Sequence, residues 1–509
     1  MTADLRVFHD TYVDSVVQLA ATRAMSAIAG VDWAAAAMAT PANLQTLTSE
    51  GFAAEKLGSA NDLFLAVRAT DDDTVRAALA AGTDVMFTDR PTPSGPTPAH
   101  AHRTIARAVR EQPHTNVALI STPGEYAALE AHEALSAGLD VLLFSDNVSL
   151  SDEIALKDRA VGLGRLLMGP GAGTAMLGGI GLGFANVVKP GKVAVVAAAG
   201  TGAQEAMSLL DRWGVGMSCV IGLGGRDLSD AVNGRMAKAA IASLRSDPDT
   251  DVIFLVSKPP AERVAHSVLL AAGSMPLVAT LLGRPRDTDD IPGLPLGRTL
   301  ESGALMVLDL LGMQRPDVLG DLQQRVTAEC SRLSAERTLV RGLFSGGTLC
   351  YESLVVLGDI VGNVYSNVPL DPSLRVPAPT ESHVCLDLGE EEYTRGRPHP
   401  MIDPQARAGL LEEQARDPGV AVILLDVVLG LGAHPDPASQ LAPVCRRAVE
   451  RGVAVVAYVL GTEQDPQGYA HQRKALEAAG CVVPGSATRA ALAAAAIAVR
   501  DPALVTRTP

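Results

Sequence analysis

The chain has 509 residues, of which 47% are hydrophobic and 3% aromatic, and it carries a formal net charge of −15 at pH 7. This composition excludes a disordered chain, and the negative charge disfavours nucleic acid and anionic membranes as partners. The length predicts three or four domains, and the abundance of Ala, Gly, Val and Leu predicts α/β layers with closely packed helices.

Residues 1–89 are predicted to form a small α+β domain. Strands are expected at residues 5–9, 33–38, 62–69 and 84–87, with helices at 14–28, after 40 and at 72–81. The four prolines between residues 90 and 98 predict a linker.

Residues 100–190 are predicted to form a second, Rossmann-like domain. Helices are expected at 104–111, 124–137 and 151–163, and strands at 116–121, 140–144 and 165–168. The alternation of strands with helices at this spacing is typical of a parallel sheet.

Residues 191–313 and 338–509 are predicted to form two further α/β domains with the same internal order. Each begins with a strand, a glycine-rich turn and a helix, and each continues through an Asp-Pro pair, at 247–248 and 417–418, to an apolar strand. Agreement at several levels predicts a duplication. The alanine-rich residues 490–499 are predicted to form a final amphipathic helix and not a membrane anchor.

The two glycine-rich turns carry the same signature, G-T-x-x-x-E, at residues 200–205 and 347–352. Such a turn leaves several N–H groups at a helix start without intrahelical acceptors, and these groups bind anions such as phosphate or carboxylate. Ordinary βα turns, in which Gly permits the bend and Thr caps the helix, are the alternative. We predict one anion held between the two helix ends. The predicted contacts are Gly200, Thr201 and Gly202 of turn 1, and Ser345, Gly346, Gly347 and Thr348 of turn 2.

Three further side chains are candidates for catalysis. Glu205 and Glu352 lie one turn into each helix, where they could orient a ligand amine or act as a general base, or could be helix-start carboxylates without a chemical role. His399 lies between two prolines and is a candidate general acid or base, or an anion contact; a structural histidine is the alternative. His434 follows the strand 420–427 at its carboxyl end, which is a favoured position for a site residue. The alternative is that it belongs to a capped turn.

Two loops outside the turns are candidates for ligand binding. The glycine cluster 169–174 follows a predicted strand, and ligands of open α/β sheets bind beyond the strand carboxyl ends; an interdomain joint is the alternative. Arg226 and Asp227 could clamp a carboxylate or form a surface ion pair. P-loop, H-E-x-x-H and G-x-S-x-G motifs are absent, and the six scattered cysteines, without C-x-x-C spacing, predict no metal site.

Several segments resemble a known family. Residues 193–205, 222–227 and 247–256 resemble the ligase domain of the succinyl-CoA synthetase alpha subunit. Residues 141–170 resemble the end of its CoA-binding domain, and residues from Cys385 onward resemble the carboxy-terminal domain of the beta subunit. Residues 143–150, 344–350, 396–403 and 424–437 are more similar to the FdrA family of acyl-CoA-synthetase-like proteins. By this resemblance the chain is identified as a member of that family over nearly its whole length.

The resemblance implies an α/β protein with four domains. Residues 1–89 would be the small α+β domain and 100–190 a CoA-binding-type Rossmann-like domain. Residues 191–313 would be an alpha-type ligase domain and 338–509 a beta-subunit carboxy-terminal-type domain, both flavodoxin-like. It also implies Asn147 and Gly169 as ligand contacts, a small-molecule substrate, partner subunits and an oligomer. Without a signal peptide or an apolar run of about 20 residues, the chain is expected in the cytoplasm.

Three departures from the ligases affect the expected chemistry. The ATP-grasp half of the beta subunit is missing, and residues 283–304, which correspond to the region of the ligases' phosphohistidine, contain no histidine. Residues 90–103 replace the glycine loop that opens the ligases' CoA domain. Within the FdrA family, Gly171 and Ala172 stand where an acidic residue and a cysteine are usual.

Three functions are therefore considered, beginning with the one that the resemblance favours most. The resemblance implies a carbamoyltransferase subunit of ureide (allantoin or oxalurate) breakdown that handles phosphate or carbamoyl phosphate. The second is an NDP-forming acyl-CoA ligase subunit that uses CoA and a separate ATP-grasp partner. The third is a non-catalytic scaffold that binds a metabolite.

Overall fold

The computed structural model describes residues 1–53, 59, 61–87, 102, 104–284, 294–394 and 398–508. The chain divides into two compact units, Met1–Ala101 with Gly389–Asp403, and His102–Leu388 with Pro404–Pro509. The predicted linker at residues 90–98 lies outside the described residues.

The first unit contains a three-stranded antiparallel sheet with β3 at its centre. Leu65 and Val67 of this strand face a core shared with the first and third helices, whereas Phe64 and Ala66 face a second core that includes Leu47. Alternate residues of a strand point to opposite faces, so both faces are covered. The elements are β1 (Thr2–Phe8), α1 (Ser15–Ser26), β2 (Val31–Met38), α2 (Pro41–Ser49), β3 (Leu63–Ala69) and α3 (Asp72–Phe87).

The predicted strand at residues 84–87 is wrong, because α3 continues to Phe87. Val85 and Met86 pack against the core between α1, α3 and β3. The ring of Phe87 lies 4.8 Å from the ring of Phe8. These tertiary contacts override the strand propensity of the three residues.

The second unit begins with a small parallel sheet in the order β4-β5-β6. Ala127 and Ala131 face its core with Leu142 and Leu156, and small alanine side chains let the helices approach the sheet closely. The elements are α4 (Ile105–Glu111), β4 (Val117–Ile120), α5 (Gly124–Ser136), β5 (Asp140–Leu143), α6 (Leu150–Gly162) and β6 (Leu167–Met168).

A seven-stranded sheet follows, in the order β13-β12-β11-β9-β10-β7-β8. The strands from β9 to β13 are parallel, while β7 runs antiparallel to both β10 and β8. The elements are β7 (Thr174–Leu177), β8 (Ile180–Gly183), β9 (Pro190–Ala197), α7 (Gly200–Arg212), β10 (Met217–Gly222), α8 (Arg235–Leu244), β11 (Val252–Ser257), α9 (Glu262–Leu270), β12 (Leu277–Leu281), β13 (Leu296–Gly297) and α10 (Leu300–Leu310).

The remaining sheet is five-stranded and parallel, in the order β15-β16-β14-β17-β18. Its strands β17 and β18 are buried along their whole length, as expected for strands of a parallel sheet that is covered on both faces. The elements are α11 (Leu322–Arg332), β14 (Leu339–Phe344), α12 (Gly347–Val361), β15 (Val364–Tyr365), β16 (His383–Asp387), α13 (Glu391–Thr394, in the first unit), α14 (Gln405–Gln414), β17 (Val420–Val428), α15 (Pro437–Glu450), β18 (Ala454–Leu460), α16 (Tyr469–Ala478) and α17 (Ala487–Val499).

The predicted α/β class with parallel sheets is confirmed, and so is a final helix at α17. Its predicted amphipathic character is wrong, because residues 487–498 are all buried. Helices α10, α11 and α12 all contact it, and its alanines leave room for them. Within the described residues, no helix combines the length and the apolar character needed to cross a bilayer.

Candidate functional site

The two predicted turns lie side by side in the second unit. Turn 1 joins β9 to α7 and turn 2 joins β14 to α12. The N–H of Thr348 donates to Thr201 Oγ1 at 3.1 Å. A Cβ added to Gly202 would lie 3.0 Å from Thr348 Cγ2, and one added to Gly346 would lie 2.9 Å from Thr201 Cγ2. The duplicated helix starts therefore meet at contact distance, with glycine where the backbones approach most closely.

The donors of turn 2 are occupied by a carboxylate of the protein itself. Asp426, near the end of β17, accepts from the N–H and Oγ of Ser345 at 2.8 and 2.9 Å and from the N–H of Gly346 at 2.7 Å. Arg407 of α14 donates to the same carboxylate at 2.5 Å, and both side chains of this ion pair are almost fully buried. Turn 2 is thus an anion site whose anion is built into the chain.

Turn 1 has no corresponding carboxylate. In the second half Leu343 pairs with Leu425, so the next residue, Phe344, lies beside Asp426. When the two turns are aligned, Ala197 corresponds to Phe344, and its partner on β11 is Val256. Val256 therefore takes the place of Asp426. Its Cγ1 lies 2.9 Å from the position of a Cβ on Gly202. Across the described part of the chain, the N–H groups of residues 200–202 donate to no protein acceptor. The duplication is therefore asymmetric in one respect: Asp426 accepts from the N–H groups of residues 345 and 346 before α12, and turn 1 has no counterpart of this carboxylate.

Two charged side chains stand beside the start of α12. A Cβ on Gly347 would collide with a carboxylate oxygen of Asp387 and would lie 3.5 Å from Lys258 Nζ. Lys258 follows β11, and its Nζ lies 5.9 Å from the centre of the Tyr351 ring. Sequence reasoning missed Lys258, Asp387 and Asp426, although all three lie at the carboxyl ends of parallel strands, where ligands of such sheets bind.

Glu205 and Glu352 are fully buried and hydrogen-bonded to protein groups. Glu205 accepts from the N–H of Ala487 at 3.2 Å and from the hydroxyl of Tyr458 at 2.5 Å. Glu352 accepts from the N–H of Leu300 at 2.6 Å and from the Thr488 hydroxyl at 3.2 Å. Their predicted catalytic roles stay predictions, but each carboxyl group already binds the first N–H of another helix.

Burial sets the protonation of both side chains. It raises the pKa of Glu205 to about 7, against the opposing effect of the Arg212 charge and the Tyr458 hydrogen bond. Burial, assisted by the nearby charge of Glu205, raises the pKa of Glu352 to about 8. Carboxyl groups with such a pKa exchange protons near neutral pH.

The glycine loop after β6 lies next to turn 1. A Cβ on Gly200 would lie 3.7 Å from Thr174 Oγ1, at the end of this loop. Gly169 has a φ of +109°, and a Cβ there would collide with the carbonyl of Leu143. Asn147 has a φ of +59° in the loop before α6. Ligand contacts at Asn147 and Gly169 stay predictions.

A buried ion network holds α6 against the loop before α8. Lys157 of α6 is fully buried and donates to Glu153, to Asp227 and to the carbonyl of Leu223 at 2.8–2.9 Å. Asp227 also accepts two N–H groups at the start of α8. Arg226 Nε lies 2.8 Å from the second oxygen of Glu153. Both residues predicted as a carboxylate clamp therefore have protein partners, and a ligand role for Arg226 stays a prediction.

The two candidate histidines lie in different units. His399 belongs to the first unit, where its Nδ1 accepts the N–H of Met401 at 3.2 Å; Arg397 of the same loop lies outside the described residues. His434 is buried in the second unit, and its Nδ1 accepts the N–H of Asp436 at 3.0 Å. The catalytic role of His399 stays a prediction.

The class of protein follows from comparison with known families. The family model for CoA-ligase matches residues 343–497, and the model for the CoA binding domain matches residues 188–279. The latter match covers residues 191–279 of the segment predicted above as alpha-type ligase domain and only residues 188–190 of the segment 100–190; the predicted domain bounds stay predictions. A model for the "AllF, heavy metal-associated domain" matches residues 1–101. That segment contains no cysteine, and among the described residues no group of three or more His, Cys, Asp or Glu side chains could hold a metal ion.

The chain belongs to the same family as the "Uncharacterized protein YahF" of Escherichia coli (strain K12), with which it is 38% identical over 97% of this chain and 98% of that protein. It is 27% identical to the ADP-forming sulfoacetate-CoA ligase subunit SauD of Bilophila wadsworthia, over 36% of this chain and 64% of the relative. It is 29% identical to the succinate–CoA ligase [ADP-forming] subunit alpha of Aquifex aeolicus, over 30% of this chain and 51% of the relative. The chain thus spans about half to two thirds of these two ligase subunits.

Among solved structures, the dinucleotide-forming acetyl-coenzyme A synthetase 1 of Ca. Korarchaeum cryptofilum, in complex with phosphate and ADP, is similar over 82% of this chain and 89% of its own, with a TM-score of 0.31 and 15% identity. Together, the family models and the curated relatives relate the chain to the acyl-CoA synthetases and the succinyl-CoA ligases.

Proposed function

We propose that this chain is a carbamoyltransferase subunit of the FdrA type, which binds phosphate or carbamoyl phosphate at turn 1 and acts in ureide breakdown. The observation that carries the proposal is the set of N–H groups at residues 200–202, which have no protein acceptor in the described part of the chain. They open a helix of 13 residues, and the dipole of such a helix favours an anion at this end.

The built-in carboxylate of turn 2 supports one ligand anion rather than two. Asp426 already saturates the donors of Ser345 and Gly346, so a second anion there would face its negative charge. Near Gly347 the positive charge of Lys258 is opposed by the carboxylate of Asp387, which lies closer to that residue. The preference for an anion therefore rests on the N–H donors of turn 1 and the dipole of α7.

The chemistry that fits is carbamoyl transfer between nitrogen and phosphate. In the breakdown direction, a phosphate oxygen attacks the carbamoyl carbon of a ureido acid such as oxalurate. The new C–O bond gives carbamoyl phosphate, the C–N bond breaks, and the departing nitrogen takes up a proton to give oxamate. N–H donors that hold the phosphate would stabilise its charge in both directions. No phosphohistidine is required, in keeping with the absence of histidine from residues 283–304.

A single proline tests the site with little disturbance. Gly200 is the first residue of α7, and proline is well tolerated there because its missing N–H has no intrahelical acceptor. Ala199 has the extended conformation that a residue before proline requires. Gly200→Pro should therefore remove one ligand donor and keep the helix, whereas the control Gly200→Ala keeps the donor.

Binding of inorganic phosphate and of carbamoyl phosphate should be measured by calorimetry. We expect Gly200→Pro to weaken binding about tenfold or more relative to Gly200→Ala, since a hydrogen bond to a charged group is worth about 1.5–3 kcal/mol. Equal affinities in the two variants would contradict the site. The reaction is tested with the protein and its co-purifying subunits, supplied with oxamate and carbamoyl phosphate. Absence of phosphate release from the complete complex would reject the carbamoyltransferase.

A second candidate is an acid–CoA ligase subunit that acts with a separate ATP-grasp partner. The CoA-ligase and CoA binding domain matches favour it, as do the two ligase subunits among the relatives. The described residues fit CoA only in part, because Gly169 packs on the protein's own Leu143 carbonyl. The ligase predicts calorimetric binding of CoA and acid-dependent nucleotide turnover once the partner is added. Failure to bind CoA would count against it.

A further inference from the structure

In the second unit, a glutamate of each duplicated half accepts the first N–H of the other half's last helix. We call these two contacts the exchanged caps. The first half ends in α10, whose first N–H (Leu300) donates to Glu352 of the second half. The second half ends in α17, whose first N–H (Ala487) donates to Glu205 of the first half. Both glutamates occupy the last position of the G-T-x-x-x-E signature. The signature therefore fixes both the turn and the partner half's last helix.

The buried charges at this junction are not equally paired. Glu301 of α10 forms an ion pair with Arg489 of α17, with N–O distances of 2.6–3.1 Å, and accepts from Ser486. The hydroxyl of Tyr458 donates to Glu205 and accepts from Arg212 at 3.1 Å, so it links the two charged side chains.

Glu352 forms no ion pair among the described residues, and its Oε2 has no hydrogen-bond partner there. Three buried glutamates thus face two arginines. The groups that act on Glu352 are Glu205 from α7, Glu301 and the N–H of Leu300 from α10, and Thr488 from α17.

We propose that Glu352 carries a proton on Oε2 and acts as a neutral positioning residue for the start of α10. A buried carboxylate without a cation is costly, whereas a neutral carboxyl group can still accept at Oε1 from Leu300 and Thr488. The raised pKa of Glu352, about 8, agrees with this assignment. The inference goes beyond the proposed function and does not depend on whether turn 1 binds phosphate.

The assignment has a definite pH dependence. The pKa of Glu352 is raised from its ordinary value of 4.5 to about 8. Its contribution to stability is therefore fully present below the ordinary value and is lost as the pH rises through about 8. Above that value a third negative charge forms at the junction and weakens both exchanged caps.

The test compares two matched substitutions, Glu352→Gln and Glu205→Gln, in the full-length chain. The urea midpoint of unfolding should be recorded from about pH 6 to about pH 9. Glutamine copies a protonated carboxyl group, so Glu352→Gln should fold like the wild type near pH 6 and lose much of the wild-type fall in midpoint at higher pH. The pKa of Glu205 is raised only to about 7, so Glu205→Gln should remove only the part of the fall below that pH and should keep the fall that continues to about pH 8.

An infrared measurement on the wild-type protein keeps the inference testable if a variant fails to fold. A protonated carboxyl group shows a carbonyl band that disappears as the pH is raised through its pKa. We expect a band that persists to about pH 8 in the wild type, and the loss of that component from any folded Glu352→Gln protein, in which the band of Glu205 should disappear near pH 7. An unchanged pH profile in Glu352→Gln, or no protonated carboxyl band in the wild type at neutral pH, would overturn the proposal.

Discussion

The ion pair between Asp426 and Arg407 should be strongly asymmetric in its contribution to stability. The two side chains are only 1% and 2% exposed. Replacing Asp426 by Asn leaves the Arg407 guanidinium buried without a counter-charge, with the main-chain carbonyl and the amide oxygen of residue 426 as acceptors and its Nε already without a partner in the described residues. Removing one member of a buried pair in this way costs about 3–5 kcal/mol. Arg407→Met instead leaves a carboxylate that still has three donors from Ser345 and Gly346.

That remaining carboxylate also lies at the N-terminus of α12, where the helix dipole favours a negative charge. We therefore expect Arg407→Met to cost about 1–3 kcal/mol, clearly less than Asp426→Asn. The double variant should cost less than the sum of the two, because residues in contact couple by about 0.5–3 kcal/mol. Urea unfolding of the wild type and the three variants gives the complete cycle. An Arg407→Met cost equal to or larger than that of Asp426→Asn would refute the view that turn 2 itself stabilises the carboxylate.

Two further predictions concern packing and charge in the second unit. Lys157→Met should lower the free energy of unfolding by about 3–5 kcal/mol, because its two acidic partners stay buried; the exposed pair of Arg76 serves as control, and Arg76→Met should cost no more than about 1 kcal/mol. Gly347→Ala should cost about 1–3 kcal/mol because its Cβ collides with a buried carboxylate. Gly200→Ala, whose Cβ would make only an ordinary contact of 3.7 Å with Thr174 Oγ1, should change stability by less than about 0.5 kcal/mol. Equal midpoints of urea unfolding within either pair would contradict the corresponding packing argument.

The sequence carried clear signals for the repeated strand–turn–helix units. Glycines at helix starts, apolar runs such as β17 and the two Asp-Pro pairs are local features, so the duplicated halves and the parallel sheets were predictable. The last turn of α3 was not, because Phe87 is held in a helix by contact with Phe8, which is far away in the sequence. The burial of α17 was not predictable either, because alanine is compatible with both exposed and buried helix faces.

The site was only partly predictable. Helix geometry alone predicted that turns 1 and 2 would carry unpaired N–H donors. Which turn has a carboxylate of the protein beside it depends on strand register. Asp426 and Val256 occupy corresponding positions. Only an alignment of the two sheets shows that a carboxylate in one half is replaced by an apolar side chain in the other. Likewise, the signature predicted that Glu205 and Glu352 would lie near the turns, but not that each binds the helix of the other half, because that contact joins residues 282 and 52 positions apart.

The exchanged caps also determine how the second unit can be assembled. If the chain were divided between α10 and β14, neither fragment would contain the carboxyl group that completes its own last helix. Thr299 and Ser486 would still cap their own helices, but the first N–H of each helix would meet its carboxyl acceptor only when the fragments reassociated, a step that depends on their concentration. In the intact chain the covalent connection supplies a high effective concentration of each half for the other, so the junction closes to the same extent however dilute the protein is.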